Sequence, residues 1–112
     1  MKVAIVGSRT SNDTTLNTII DYIPFNCSEI ISGGALGIDS LVKEVARKLD
    51  IPLVEFYPDY NSFGKIAPLK RNEEIVKYTD YVIAFWDFKS TGTKFVINKC
   101  IETNIPIKVI GI

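Results

Sequence analysis

The chain contains no histidine, one methionine, one tryptophan and two cysteines. Without histidine the commonest general base and the Ser-His and Cys-His nucleophile pairs are excluded, so any catalysis must run on carboxylates, Arg, Lys, Tyr or a bound metal. Cys27 and Cys100 stand far apart with no second pair beside them, which indicates neither a disulfide framework nor a zinc site. They read as free, largely buried thiols, and neither a metal nor a resident cofactor is expected. Net charge is absent too, because 13 Lys and Arg balance 13 Asp and Glu. With a pI near 6.2 the whole chain offers no field to hold a polyanion, and on that ground nucleic acid is disfavoured as a partner. No apolar run approaches the roughly 20 residues of a membrane helix, and MKVAIVGSR lacks a signal-peptide h-region. A cytoplasmic protein without a membrane partner is expected.

What is present is 112 residues, 46% hydrophobic and 23% charged, which describes one globular domain over residues 1–112. Val- and Ile-rich runs predict strands over 2–7, 28–32, 52–57, 80–86 and 106–110. Between them apolar residues recur at helical spacing: Leu16, Ile19, Ile20 and Ile23; Ile38, Leu41, Val42, Val45, Ala46 and Leu49; Ile66, Leu69 and Val76; Val96, Ile97, Cys100 and Ile101. Pro52 and Pro106 follow the second and fourth of these segments, where proline stops a helix and starts an extended stretch. The alternation predicts an α/β fold: a three-layer Rossmann-like domain of about five parallel strands flanked by about four helices, on alternate sides once the winding direction reverses. In such sheets ligands lie beyond the carboxyl ends of the strands, where strand order reverses. The longest irregular stretch is 57–65, a length more often functional than merely connecting.

The loops after the strands carry the chemistry. Gly7-Ser8-Arg9-Thr10 follows the first strand with a glycine, hydroxyls and a cation, as an anion cradle at a helix start would; Asn12 or Asp13 could equally cap the helix. Ser32-Gly33-Gly34-Ala35-Leu36-Gly37-Ile38-Asp39 follows the second, and three glycines in five residues imply close backbone packing or a ligand lying on the loop. Asp39 suits either the helix dipole or a ribose hydroxyl. After the fourth strand, Trp86-Asp87-Phe88-Lys89-Ser90-Thr91-Gly92-Thr93 brings hydroxyls and a glycine to a helix start, suited to phosphate, with Trp86 or Phe88 placed to stack on a base. Phe85 reads as sheet core, and Thr91 or a neighbouring hydroxyl as the helix cap. In the third helix Arg71-Asn72 interrupts the apolar stripe, and Asn72 falls on its inward side, where a polar group needs a partner.

Taken together, GSR, SGGALGID, RN and DYVIAFWDFKSTGT resemble the SLOG superfamily of Rossmann-like nucleotide-binding domains, which includes the DprA/Smf proteins, the LOG phosphoribohydrolases and small stand-alone YspA-like members. The resemblance spans nearly the whole chain and is closest to the YspA-like group. It implies a nucleotide or nucleotide-derived ligand: an adenine nucleotide, an ADP-ribose derivative or a cyclic nucleotide signal. Gly7, Ser8, Arg9, Thr10, Ser90, Thr91, Gly92 and Thr93 would meet phosphate. Gly33, Gly34 and Asp39 would line the sugar side, and Arg71 and Asn72 would reach the crevice from the third helix. The resemblance also implies a homo-oligomer. The LOG motif Pro-Gly-Gly-x-Gly-Thr-x-x-Glu is departed from, since its glutamate position is Val96. Three readings follow. The first is a sensor or sequestering protein for a nucleotide-like small molecule. The second is a LOG-like N-glycosidic hydrolase or transferase, in which Arg71 would be catalytic and Glu55, Asp59 or Asp87 would replace the missing carboxylate. The third is DprA-type binding of single-stranded DNA.

Overall fold

In a computed structural model that describes residues 1–8, 16–34 and 38–112, the chain forms a five-stranded parallel sheet in the order β3-β2-β1-β4-β5. The strands are β1 (Lys2–Gly7), β2 (Glu29–Ser32), β3 (Leu53–Glu55), β4 (Tyr81–Trp86) and β5 (Ile107–Gly111), each within about two residues of its expected bounds. The main helices are α1 (Leu16–Tyr22), α2 (Ile38–Leu49), α4 (Ala67–Tyr78) and α5 (Thr91–Thr103). The stretch 57–65, expected to be irregular, instead holds α3 (Tyr60–Phe63) and the start of a 3₁₀ turn (Gly64–Ile66). The Asp59 carboxylate caps α3 by accepting from Ser62 N at 3.2 Å. Ile66 therefore precedes α4 rather than joining its stripe.

The two central strands are buried on both faces, and the period of two sorts their side chains. Val3, Ile5, Ile83 and Phe85 join Ile19 of α1 and Ile38, Val42 and Val45 of α2 on one face. Ala4, Val6, Val82 and Ala84 join Ile75 and Val76 of α4 and Val96 and Cys100 of α5 on the other. The helices thus sit two by two, α1 and α2 against one face and α4 and α5 against the other, rather than alternating singly. Phe85 is fully buried, as expected for sheet core, and contributes about 1.5–3 kcal/mol by that burial. Cys100 is buried, whereas Cys27 is only half-buried; both are free thiols.

Helix α2 places Asp39 in its first turn and Arg47 and Lys48 in its last, matching the helix dipole at both ends. It gives way at Asp50, which takes a left-handed φ of 54° just before Ile51-Pro52. Helix α5 starts at Ser90, whose Oγ accepts from Thr93 N, and closes at Asn104 with φ 60°. The reversal of strand order falls between β1 and β4, and at that point the chain leaves both strands toward the same end of the sheet. Among the described residues no helix is long and apolar enough to cross a membrane.

Candidate functional site

A crevice of about 680 Å³ opens beyond the carboxyl ends of β1, β2 and β4, walled by α4 and by the start of α5. This is the position that the reversal of strand order dictates, and the volume is that of a small-ligand site. Ten of the residues expected from sequence line it: Gly7, Gly33, Asp39, Arg71, Asn72, Asp87, Ser90, Thr91, Gly92 and Thr93. Ser8 lies 1% exposed just behind the wall. Arg9 and Thr10 fall outside the described residues.

The glycines make room for the walls. A Cβ on Gly7 would lie 2.6 Å from the Ile38 side chain, so glycine there lets the start of α2 close onto the end of β1. A Cβ on Gly33 would lie 2.8 Å from Arg71 Nη1, so this glycine gives the guanidinium its place. Gly34, by contrast, is exposed, does not line the crevice and takes φ 69° against the ring of Tyr57.

Arg71 is the fixed cation of the site. Its Nη1 donates to the carbonyl of Gly33 at 2.7 Å and its Nε donates to Asn72 Oδ1 at 2.7 Å. Two bonds at different nitrogens hold the guanidinium plane while leaving further N–H groups unspent on these partners. Burial pushes its pKa below the ordinary value, opposed by the charges of Asp39 and Tyr60, yet an arginine remains protonated. Asn72, 8% exposed, has the partners that its inward position required: it accepts from Arg71 and its Nδ2 donates to Gly92 O at 3.5 Å. Through Asn72, α4 and the first turn of α5 are held together.

The loop from β4 to α5 is built around Asp87. Its Oδ1 accepts from Lys89 N at 2.9 Å and Ser90 N at 2.8 Å, and its own N–H donates to Ser8 Oγ at 3.1 Å. Ser8 N in turn donates to Phe85 O at 3.0 Å, so the loops after β1 and β4 are stapled to each other. The amides of Ser90 and Lys89 hold the Asp87 carboxyl below the usual aspartate pKa. The helix cap is Ser90, a neighbour of the expected Thr91; its Oγ also lies 3.3 Å from Thr93 Oγ1. Trp86 does not line the crevice. Its Nε1 donates to Ser90 O at 3.0 Å and its ring lies 5.0 Å from that of Phe88.

The other candidate carboxylates point elsewhere. Asp59 caps α3, and Glu55 accepts the hydroxyl of Tyr57, a bond that raises the Tyr57 pKa. Val96 is 1% exposed and contributes an apolar patch to the crevice wall. Sequence reasoning missed Val6, Pro68, Leu69, Ile75 and Lys89 as lining residues. The spacing of Pro68, Asn72 and Ile75 was the available signal, since residues three and four apart share one face of α4. Among the described residues, no group of His, Cys, Asp or Glu could hold a metal ion.

No family model and no curated protein matches the chain. Among solved structures, it is similar to DNA processing protein A from Helicobacter pylori, with a TM-score of 0.77 and 24% identity over 97% of this chain. The chain spans 64% of the length of that structure's chain. The likeness shows a shared Rossmann-like α/β fold; the finer resemblance to YspA-like proteins is not part of what it shows. That protein was solved for a unique single-stranded DNA binding mode. The expectation that nucleic acid is disfavoured is thereby overturned, because this fold does serve such a partner. The physical reason is that net charge sums over the chain, whereas a ligand meets the local field. Glu44 and Glu102 pair with Arg47 and Lys99 on outer helix surfaces, while the crevice lining carries both signs, Arg71 and Lys89 beside Asp39 and Asp87.

Proposed function

We propose that the crevice binds the phosphate of a nucleotide, and that single-stranded DNA is the source of that phosphate which the structural likeness supports. The observation that carries the reading is the fixed guanidinium of Arg71, held by Gly33 O and Asn72 in the same crevice as the start of α5. A half-buried, oriented arginine in one crevice with the first turn of α5 and its Ser and Thr hydroxyls suits a tetrahedral anion better than any neutral ligand. Exposed rings at Tyr57, Tyr60 and Phe63 lie along the segment leading into α4, with Lys70 Nζ 6.0 Å from the Phe63 ring centroid. Rings interleaved with cations are what successive unpaired bases stack on.

A free nucleotide is the second reading, favoured by a volume that would hold one mononucleotide. It accords with the resemblance to nucleotide-binding SLOG domains. A LOG-like cleavage draws no support from the site, since Val96 stands where that chemistry needs a carboxylate.

Calorimetric titration of the whole chain with a short oligo-dT strand and with ADP, for wild type and Arg71→Ala, tests the proposal. Binding of oligo-dT that weakens with salt and with Arg71→Ala supports DNA. Binding of ADP alone, weakened by the same substitution, supports the free nucleotide. Binding of neither overturns the reading.

A further inference from the structure

We infer that Trp86 and Phe88 act together as a strut on the outer side of the β4–α5 loop, a pair of positioning residues that hold the phosphate-facing amides in place. The inference rests on the proposed phosphate site and adds what keeps it formed. From Trp86 onward the chain alternates: Asp87 and Lys89 line the crevice, whereas Trp86 and Phe88 do not. The alternation is sustained by Phe88, a non-glycine residue with φ 65°. A bulky side chain in the left-handed region is unfavourable unless its surroundings fix it.

Two contacts do so. The Phe88 ring covers Gly111 at the end of β5, where a Cβ would lie 2.8 Å from Phe88 Cε2. Trp86 pairs with Gly111 across the sheet, and Ile112 N donates to Trp86 O at 2.9 Å. The indole is thus anchored to β5 through its backbone while its Nε1 donates to Ser90 O. Ser90 is the cap from which α5 starts, so the tryptophan fixes the crevice loop from behind without touching the ligand space. Asp87 orders the same loop from within by accepting from Lys89 N and Ser90 N. The phosphate-facing turn is clamped on both sides before any ligand arrives, which lowers the ordering cost of binding.

Trp86→Phe keeps a ring and removes the donor; Phe88→Gly removes the ring and leaves a residue at ease with φ 65°. Each variant is titrated by calorimetry with ADP, with adenosine and with a short oligo-dT strand, and its Tm is recorded. The strut predicts about fivefold weaker binding of whichever phosphate-bearing probe wild type holds for Trp86→Phe, as expected for one lost hydrogen bond, and a loss in the same direction for Phe88→Gly, with adenosine unaffected in both. A role in stability alone would lower Tm and leave these affinities unchanged, and that result overturns the strut while the phosphate reading stands. Equal losses for adenosine and the phosphate-bearing probes overturn it as well. Wild type that binds neither ADP nor oligo-dT removes the phosphate site and the strut with it.

Discussion

The two ends of the sheet use polar groups in opposite ways. At the amino end most lie near the surface and close the fold by short bonds: Lys2 N donates to Asp80 Oδ2, Ser28 N donates to Met1 O, and the Tyr78 hydroxyl donates to Glu29; Thr79 is the exception, 4% exposed with its Oγ1 donating to Val76 O. At the carboxyl end Ser8, Ser32, Asn72 and Thr93 are buried, each 8% exposed or less. Burying polar groups costs stability unless each finds a partner, and among the described residues no buried side-chain polar atom lacks one. An apolar crevice floor would have been cheaper to fold. A prearranged polar one is worth its cost only where it meets a ligand, so binding and stability should separate by end.

The largest effect is expected at Arg71. Arg71→Ala removes a charged group and should weaken a phosphate-bearing ligand by about 2–3 kcal/mol, or about 30-fold to 160-fold, as charge-assisted hydrogen bonds do. Arg71→Lys keeps the charge but cannot bond Gly33 O and Asn72 from two nitrogens of one plane, so it should recover only part of the loss. Calorimetry reads both. Affinity that survives Arg71→Ala would place the ligand elsewhere and erase the contrast between the ends.

Gly33→Ala sharpens the same point at lower cost. The added Cβ meets Arg71 Nη1 at 2.8 Å, the far end of a side chain able to swing away. The expected result is an affinity loss of about threefold to tenfold from a misplaced guanidinium, with Tm close to wild type. A large fall in Tm with unchanged affinity would show that the glycine serves the fold instead.

Acid titration probes the loop beside it. Because the Ser90 and Lys89 amides favour the ionised Asp87, its folded pKa lies below the ordinary 3.8. A depressed carboxylate pKa gives stabilisation that is complete above the unfolded value and is lost as pH falls through the folded one. NMR of the Asp87 carboxyl carbon should therefore show a midpoint below 3.8. A midpoint at or above it would mean that the clamp is not formed.

How far all this could be read in advance depended on what each signal was. The doubly buried pattern of 2–7 and 80–86 located the central strands to within a residue, because only strands buried on both faces present unbroken Val and Ile. The glycines of 33–34 and the polar pair Arg71-Asn72 marked the crevice because each violates an otherwise regular pattern. Of the pair of glycines, however, only Gly33 lines the crevice, and nothing in the sequence distinguishes them. That Trp86 lies off the crevice lining was hidden for a related reason: which of residues 86–89 face inward goes with Phe88 adopting φ 65°, a state that its side chain disfavours. Pro68, Leu69 and Ile75 looked like ordinary helix stripe, since an apolar crevice wall and a core face share one periodicity.

The smallest effect belongs to the amino end, and it completes the contrast. Tyr78→Phe deletes the hydroxyl that donates to Glu29 at 2.5 Å and leaves the ring under Lys2 Nζ, 4.1 Å from its centroid, and against Phe56. Tm should fall by no more than a few degrees, and affinity for any phosphate-bearing ligand should not change. The bond to Glu29 raises the Tyr78 pKa above its ordinary 10.0, because the phenol donates only while protonated. With the folded value raised, its stabilisation is fully present below pH 10.0 and is lost as pH rises through the folded value. Thermal melts of wild type across that range should thus converge on those of Tyr78→Phe, which has no hydroxyl to lose. A Tyr78→Phe variant that alters ligand affinity instead would show the two ends to be coupled through β1 and β4, and the separation of binding from stability would fail at its simplest point.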